Sequence, residues 1–552
     1  MNHKLKVIRE GVFSLLALIL ISIPGILNAQ NEVDAVLYNG KIITGPFTSE
    51  YSTLVIKGGK VEALYNDDSW RKAYKPITTI DLKGKVVLPG FIDAHCHFLG
   101  LGKTMDEVSL YGVQNMNELA QRVAAYIKLH PERKWIGGRG WDQNNFPGKQ
   151  FPNKHILDSM FGDKYIVLSR VDGHAVLANS NALKYCGVEI GREVEGGKIL
   201  IENNQLSGVL IDNAVNLIEN AMPKPSKKQK IEWLKTAQTE CLKYGLTQVA
   251  DAGLPIEDIL LIDSLCSKKV LKMRFYLMGT PEQRTFDYID KQGIIINNQV
   301  RFHSIKIYAD GALGSRGALL KKPYCDDLHN HGLQLTSLSK LDSILEYTYR
   351  KGLQANTHCI GDSATSLVLK AYARTLKVTP NERRWRIEHA QIVDPIDWKY
   401  FKAYSIIPSV QPTHATSDMY WAESRLCNER MEGAYSYRSL LENADFLPLG
   451  TDFPVEYVSP FYTIRAARFR QDATGFPADG FKKNEALTSE QTFAGMSIWA
   501  AMANVWEEQT GTLEAGKMAD FIVLEKNPYT ASLQESNTMK VLMTFISGVP
   551  AK

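Results

Sequence analysis

Two histidines separated by one residue, His95 and His97, are the strongest sign of chemistry in the chain. The apolar segment of residues 86–94 before them is rich in β-branched side chains and is typical of a buried strand. Side chains two positions apart on a strand point to the same face, so both imidazoles should project together from the end of this strand. Two imidazoles in that arrangement can share one metal ion.

Four more residues able to bind a metal follow predicted strands later in the chain. They are Lys306, His358, His389 and Asp452. Each falls at or just past the carboxyl end of its strand, where α/β barrels build their active sites. Histidine nitrogens and a carboxylate suit a borderline divalent cation such as zinc. A lysine is an unusual ligand because its ammonium repels cations, but it makes sense if CO2 converts the amine to a carbamate with two oxygens.

Each of these residues also has an interpretation without metal chemistry. A histidine at the end of a strand is often a hydrogen-bonded core residue, Asp452 could cap a helix, and Lys306 could extend its charged end to solvent. Those interpretations require six independent coincidences at strand ends. The shared position therefore favours a single site built from all six residues.

The elements that must position this site follow an alternating order. Strand and helix patterns alternate over residues 89–510, which predicts an α/β fold with a TIM-like (β/α)8 barrel. Both chain ends, residues 30–88 and 511–552, contain short strands and turns and are expected to pair into one small β-sandwich domain. Additional strands between about 134 and 222 exceed the needs of the barrel, so we expect this insertion to cap the barrel mouth.

Composition narrows the class of partner. The 552 residues are 44% hydrophobic and 22% charged, as in a soluble globular enzyme. The net charge is only +4 and no basic run occurs, so nucleic acid is not an expected partner. A small-molecule substrate is expected, and a homodimer is left open.

The first 29 residues read as a signal peptide. Basic side chains precede an apolar segment at residues 11–27, and Ala29 ends a small-residue cleavage site. We therefore expect export, to a bacterial periplasm or the extracellular space, with no stable membrane anchor after cleavage. The seven cysteines show no framework spacing, so a single disulfide is left open.

At this point the chain resembles a known family. The matching motifs are His95-x-His97, Lys306 followed by Asp310-Gly311-Ala312-Leu313-Gly314-Ser315-Arg316, His358-x-Ile360-Gly361-Asp362, Glu388-His389, and Gly450-Thr451-Asp452-Phe453-Pro454. Together they resemble the amidohydrolase superfamily, and within it amidohydrolase family 3, which includes N-substituted formamide deformylases. The resemblance extends from about residue 34 to 548.

The resemblance implies a reaction and a role for each of the six residues. It implies hydrolysis of an amide or related non-peptide C–N bond, such as an N-acyl or N-formyl amine, by metal-bound hydroxide. His95 and His97 would bind a first ion with Asp452, which would also be the catalytic base. His358 and His389 would bind a second ion, and carboxylated Lys306 would bridge the two. Members differ between one and two metals, so the count stays open.

Two other functions are compatible with parts of this pattern. Hydrolysis of a cyclic amide or amidine, or of an ester, would use the same ligands, and the sequence does not distinguish it. A non-catalytic binding protein is disfavoured, because it would need no base at the position of Asp452.

Four residues outside the ligand set are predicted to contact substrate. Trp141 is expected to form a wall of the pocket, and His174 to reach the site from the insertion. Arg316 follows the fourth barrel strand and would bind a substrate carboxylate or an acidic partner in its own loop. His414, after the seventh strand, is a further pocket candidate.

Overall fold

A barrel of parallel strands is the largest element of the computed structural model, which describes residues 30–377 and 381–551. Within these residues seven strands follow one another around the barrel: Phe91–Cys96, Leu246–Leu254, Arg274–Gly279, Val300–Tyr308, Gln354–Cys359, Arg386–His389 and Ile407–Ser409. Neighbouring strands in this order pair in parallel. A short strand, Ile295–Ile296, pairs antiparallel with the fourth.

An irregular segment at residues 447–450 closes the barrel between the seventh and first strands. Leu449 accepts a hydrogen bond from the backbone N–H of Ala94 at 3.1 Å, and Gly450 donates one to Val410 at 3.0 Å. Pro448 has no N–H to donate, which interrupts a regular ladder here. The expected TIM-like barrel is confirmed. In place of a regular eighth strand it has a single parallel β-bridge between Val410 and Leu449.

Helices surround the barrel and bury their apolar faces against the strands. Their bounds are Phe98–Met105, Lys227–Lys243, Ile256–Ser267, Gln283–Gln292, Leu338–Arg350, Asp362–Leu376, Lys399–Ala403, Pro412–Asp418, Ala422–Arg430, Tyr437–Glu442, Pro460–Phe469, Ser489–Gly495 and Ile498–Ala503. Short 3-10 turns occur at Pro395–Asp397 and Lys483–Glu485. One large hydrophobic cluster joins these helices to the outer face of the strands. The barrel interior holds the inward-pointing polar side chains and a small apolar cluster of Ala250, Ala252, Tyr276 and Met278.

Strands from both ends of the chain pack as two sheets beside the barrel. The first contains Lys60–Tyr65, Thr53–Lys57, Asn31–Tyr38 and Tyr74–Asp81, and the second contains Val549–Pro550, Val541–Ile546, Phe521–Leu524, Val86–Pro89, Lys41–Ile43 and Glu50–Tyr51. Two short helices occur between these strands in the chain: Trp70–Ala73 and Leu533–Thr538. A shared apolar cluster that includes Leu37, Ile56 and Phe521 lies between the two sheets.

The insertion forms a third sheet. In the chain, its strands occur after the first barrel strand and before the helix Lys227–Lys243. Its strands are Gly197–Glu202, Gln205–Asp212, Ala175–Ala178, Tyr165–Arg170, Trp135–Trp141 and Val108–Ser109. Its helices are Met116–Leu129, His155–Met160, Ser180–Tyr185 and Val215–Ala221, with 3-10 turns at Gln143–Asn145 and Pro147–Lys149.

The insertion begins earlier in the chain than its expected start near residue 134. Val108–Ser109 already pairs with Trp135–Trp141. The helix Met116–Leu129 packs Leu119 and Val123 into the core of the insertion, not onto the barrel. A helix after the first strand is indistinguishable from a barrel helix in sequence, because its apolar face does not say which sheet it covers.

Cys325 and Cys427 form a disulfide that ties the loop after the fourth barrel strand to the helix Ala422–Arg430. The other five cysteines in the described residues are buried thiols. Across these same residues, every helix is too short or too polar to span a bilayer. The predicted signal peptide, residues 1–29, lies outside the described residues.

Candidate metal centre

The two histidines of the first strand converge on the carboxylate of Asp452. Nε2 of His97 is 3.2 Å from Oδ1 of Asp452, and Nε2 of His95 is 3.5 Å from the same atom. Nδ1 of His97 is 3.0 Å from the Ala252 carbonyl, which can only accept a hydrogen bond. In the neutral imidazole the proton is then on Nδ1, and the lone pair of Nε2 faces the carboxylate.

These separations fit a shared cation. Two ligand atoms at about 2.1 Å from one zinc ion and at tetrahedral angles lie roughly 3.4 Å apart. Two lone pairs facing each other at this distance repel unless a positive charge lies between them. The donor set and its spacing therefore suit a divalent metal.

Three further predicted ligands, on the fourth, fifth and sixth strands, lie close to His95, His97 and Asp452. They are Lys306, His358 and His389. Nζ of Lys306 is 3.3 Å from Nε2 of His95. The ring of His389 lies 4.9 Å from that of His95 and 4.4 Å from that of His358, measured between centroids. Nitrogen and oxygen atoms of His95, His389 and Asp452 all fall within 4.8 Å of one another. The structure thus brings the six predicted ligands together at one end of the barrel.

Backbone conformation at two of these residues supports a functional role. His389 and Asp452 both adopt left-handed φ angles, 72° and 61°. Such angles cost side-chain-bearing residues free energy and cluster at sites where function requires them. In both cases the turn aims a side chain from the end of a strand into the barrel mouth.

Three polar atoms in the cluster are buried without a hydrogen-bond partner among the described residues. They are Nδ1 of His389, Nε2 of His358 and Oδ1 of Asp452. An unsatisfied buried polar atom costs about 1–3 kcal/mol. Cations bound in this cluster would give these atoms partners, so the residues present fit a metal centre with one or two ions.

Burial sets the protonation of the ligands. It lowers the pKa of His95 to about 4, with Lys306 adding to the effect, and it lowers the pKa of His358 and His389 well below the ordinary value. Burial also lowers the pKa of Lys306 to about 8. The imidazoles of His95, His358 and His389 are therefore neutral near pH 7, which is the form that binds metals.

The carboxylate of Asp452 remains ionised for a different reason. Burial alone would raise its pKa, but the hydrogen bond from His414 and the proximity of His97 and His95 bring that pKa well below the usual range. Nε2 of His414 is 3.4 Å from Oδ2 of Asp452, and its Nδ1 is 3.3 Å from Glu456. Burial opposes charge on His414, yet these two carboxylates raise its pKa to about 10. His414 thus lies in the cluster, directly against Asp452.

His174 reaches the site from the insertion. Its ring centroid is 5.2 Å from that of His358. Its Nδ1 is 2.7 Å from Oδ1 of Asp212, whose side chain is fully buried. Burial would lower the pKa of His174, but the contact with Asp212 raises it. Asp212 is itself packed against the loop after the fourth strand, where a side chain on Gly311 or Gly317 would collide with its carboxylate.

The other two predicted substrate contacts lie elsewhere. Trp141 is fully buried in the core of the insertion, and its indole N–H donates to the Leu168 carbonyl at 2.8 Å. It is a packing residue, which corrects the expectation of a pocket wall. Arg316 forms an ion pair with Asp326 of its own loop at 3.0 Å. Of the two partners expected for Arg316, the structure therefore shows the acidic residue in the loop. Periodicity could not reveal either partner, since both are set by loop geometry.

Two contributors were not predicted as site residues. Glu388 contacts His95, and Asp212 contacts His174. A signal existed for Glu388, which is an acidic residue in a buried strand directly before His389. Nothing in the sequence singles out Asp212.

Comparison with known proteins agrees with this geometry. A family model described as "Amidohydrolase family" matches residues 78–551. The protein LONG AFTER FAR-RED 3 of Arabidopsis thaliana is 29% identical, with 93% of this chain and 91% of the relative covered. The putative amidohydrolase YtcJ of Bacillus subtilis is 28% identical, with 90% and 97% covered.

A third relative and a solved structure extend the agreement. An N-substituted formamide deformylase of Arthrobacter pascens is 24% identical, with 90% of this chain and 94% of the relative covered. A crystal structure of an uncharacterized metal-dependent hydrolase from Pyrococcus horikoshii superimposes with a TM-score of 0.75 at 26% identity, covering 90% of this chain and 99% of that one. The chain belongs to the amidohydrolase family and is a metal-dependent hydrolase that acts on small molecules.

Proposed function

We propose that this enzyme hydrolyses a non-peptide C–N bond, in an amide or an N-acyl or N-formyl amine. The observation that carries the proposal is the convergence of three imidazoles and one carboxylate, those of His95, His97, His389 and Asp452, at the barrel mouth. The similarity to an N-substituted formamide deformylase supports an N-formyl or N-acyl amine as the substrate class.

Zinc is the proposed metal, with one or two ions per chain. His95, His97 and Asp452 would hold one ion, and His358 with His389 a second. A divalent ion there would lower the pKa of a water molecule to about 7 and polarise the substrate carbonyl. Histidine and carboxylate ligands favour zinc over magnesium or calcium, which prefer oxygen ligands alone.

Lys306 is proposed to be carboxylated and to bridge two ions. Its amine is buried, only 1% exposed, and points at Nε2 of His95, where an ammonium would repel a cation. Reconstitution of metal-free enzyme should then be faster with bicarbonate, and Lys306→Ala should bind less metal. A ¹³C carbamate signal after labelling with bicarbonate would identify the group. Equal reconstitution with and without bicarbonate, and no such signal, would leave an unmodified lysine.

Asp452 is proposed to move the proton. Its Oδ1 faces the two histidines, while Oδ2 is held by His414. Oδ1 or Oδ2 can accept a proton from the attacking water and return it to the departing amine, which leaves poorly as an anion. The hydrogen bond from His414 fixes the carboxylate for both transfers.

His174 is proposed to contact the substrate. Asp212 can accept the Nδ1 proton, which leaves Nε2 available for a substrate oxygen or nitrogen. This side chain belongs to the insertion, so the insertion contributes to the substrate pocket as well as covering it.

The experiment that tests the reaction is a substrate panel on zinc-loaded enzyme. It should contain N-formyl amines, N-acyl amines, cyclic amides or amidines, and esters of matched size. We expect the highest kcat/KM on the N-formyl or N-acyl amines. Turnover confined to cyclic substrates or esters would replace the proposed bond with one of those.

We also propose that the protein is exported. The disulfide Cys325–Cys427 supports this, because structural disulfides persist in oxidising compartments. The N-terminal pattern predicts cleavage after Ala29. Mass spectrometry of the mature protein should find Gln30 first, whereas an intact Met1 in a cytosolic fraction would refute export.

A further inference from the structure

A line of buried charged side chains runs through the barrel interior behind His95. Oε2 of Glu388 is 2.6 Å from Nδ1 of His95. The other oxygen of Glu388 forms an ion pair with Nε of Arg386 at 3.0 Å. The side chains of all three residues are fully buried. Charges so deep in the protein are tolerated only when each has a partner.

Arg386 is fixed in place by several acceptors. Its guanidinium donates to Oδ1 of Asn356 at 2.9 Å and to Oδ1 of Asn504 at 3.2 Å. A longer hydrogen bond of 3.4 Å reaches the carbonyl of Ala94, on the strand that carries His95. Arg386 and Glu388 are two positions apart on one strand and face the same way. The ion pair with Arg386 and the 2.6 Å contact with His95 therefore keep the carboxylate of Glu388 beside the imidazole.

This contact determines which nitrogen of His95 can bind a metal. An ionised carboxylate only accepts hydrogen bonds, so the proton of the neutral imidazole is on Nδ1. Nε2 then presents its lone pair to the cluster, 3.3 Å from Nζ of Lys306 and 3.5 Å from Oδ1 of Asp452. A histidine that donates its second N–H to a carboxylate is a better-oriented and more basic ligand.

We infer that Glu388, held by Arg386, is a positioning residue that fixes His95 as an Nε2 ligand and strengthens metal binding. This inference rests on the proposed function only through the metal. Metal binding can be measured without a substrate, so a wrong substrate class would leave it standing. Conversely, normal metal binding by a Glu388 variant would leave the proposed reaction standing.

The chain offers a matched control in a second buried pair. Nε of Arg274 is 2.5 Å from Oδ2 of Asp520, with side chains only 2% and 5% exposed. Asp520 also accepts the backbone N–H of Ser547 at 2.7 Å. This pair joins the third barrel strand to the six-stranded sheet that contains Phe521–Leu524, so its loss should affect folding stability but not the metal centre.

The test compares zinc affinity in the wild type, Glu388→Gln and Asp520→Asn. Each mature protein is stripped with a chelator, and zinc is titrated against a competing indicator, with melting temperatures recorded alongside. Glu388→Gln should bind zinc about 10–100-fold more weakly. Asp520→Asn should melt earlier yet keep zinc affinity within about twofold. Wild-type affinity in Glu388→Gln, or an equal loss in Asp520→Asn, would overturn the inference.

Two further measurements keep the test decisive. Cobalt loaded in place of zinc should show a changed visible spectrum in Glu388→Gln and an unchanged one in Asp520→Asn, because only Glu388 contacts the ligand His95. If Glu388→Gln does not fold, Glu388→Asp keeps the charge beside Arg386 but withdraws the oxygen from His95. That variant should also bind zinc more weakly, and wild-type affinity in it would refute the role.

Discussion

Two buried arginine–carboxylate pairs in this enzyme have the same chemistry and different surroundings. In Arg386–Glu388 the carboxylate also contacts His95, a predicted metal ligand. In Arg274–Asp520 the carboxylate instead accepts a backbone N–H from Ser547, where the barrel meets the six-stranded sheet that contains Phe521–Leu524. Burial of a charge pair thus does not by itself indicate function. The third partner of the carboxylate indicates whether the pair serves the site or the fold.

The largest effect on kcat is expected from a substitution of Asp452, which belongs to the metal centre that Arg386 and Glu388 support. Asp452→Asn keeps the shape and a ligand oxygen but cannot accept the proton, so kcat should fall about 10²–10⁴-fold. The melting temperature should change little, and some metal should remain. Steady-state kinetics on a verified substrate, with metal analysis of the same sample, measure this. Near-normal kcat with full metal content would show that Asp452 is not the base.

Asp520→Asn tests the expected role of the Arg274–Asp520 pair in folding stability. Removing one partner of a buried ion pair leaves Arg274 uncompensated, which should cost about 3 kcal/mol of the free energy of unfolding. Chemical denaturation measures that cost, and kcat should stay close to the wild-type value at temperatures where the variant is folded. A large fall in kcat without loss of stability would mean that this pair also serves the site, and the comparison would fail.

His174 and Asp212 form a third kind of pair, contributed by the insertion. His174→Gln should lower kcat/KM by roughly tenfold, the order of one lost hydrogen bond of about 1.4 kcal/mol. Asp212→Asn should shift it in the same direction, because it disturbs the orientation of the ring. His329→Gln, on an exposed loop histidine, is the matched control. Equal kinetics in His174→Gln and its control would remove His174 from the pocket.

Much of the metal centre was predictable because its signals are local. His95 and His97 are two apart on one strand, and His358, His389 and Asp452 each mark the end of a strand. In a parallel barrel all such ends lie on one face, so the fold class alone brings these residues together. The barrel could likewise be predicted from the alternation of strands and helices.

The remaining features depend on contacts between distant parts of the chain. Glu388 and His95 are 293 positions apart, and no local pattern predicts that a carboxylate on one strand meets the imidazole of another. The packing role of Trp141 and the pairing of Arg316 with Asp326 depend on how loops fold. The early start of the insertion was hidden because the helix Met116–Leu129 has the amphipathic pattern of a barrel helix.

The central claim is that the cluster at the barrel mouth is a metal centre, and metal content tests it most directly. Elemental analysis of natively purified wild-type enzyme should find one or two divalent ions per chain, with zinc as the main metal. A variant with both His95 and His97 changed to Ala should lose the ion that those residues hold. Less than half an equivalent in the wild type, with no activity regained when zinc is added, would contradict the account.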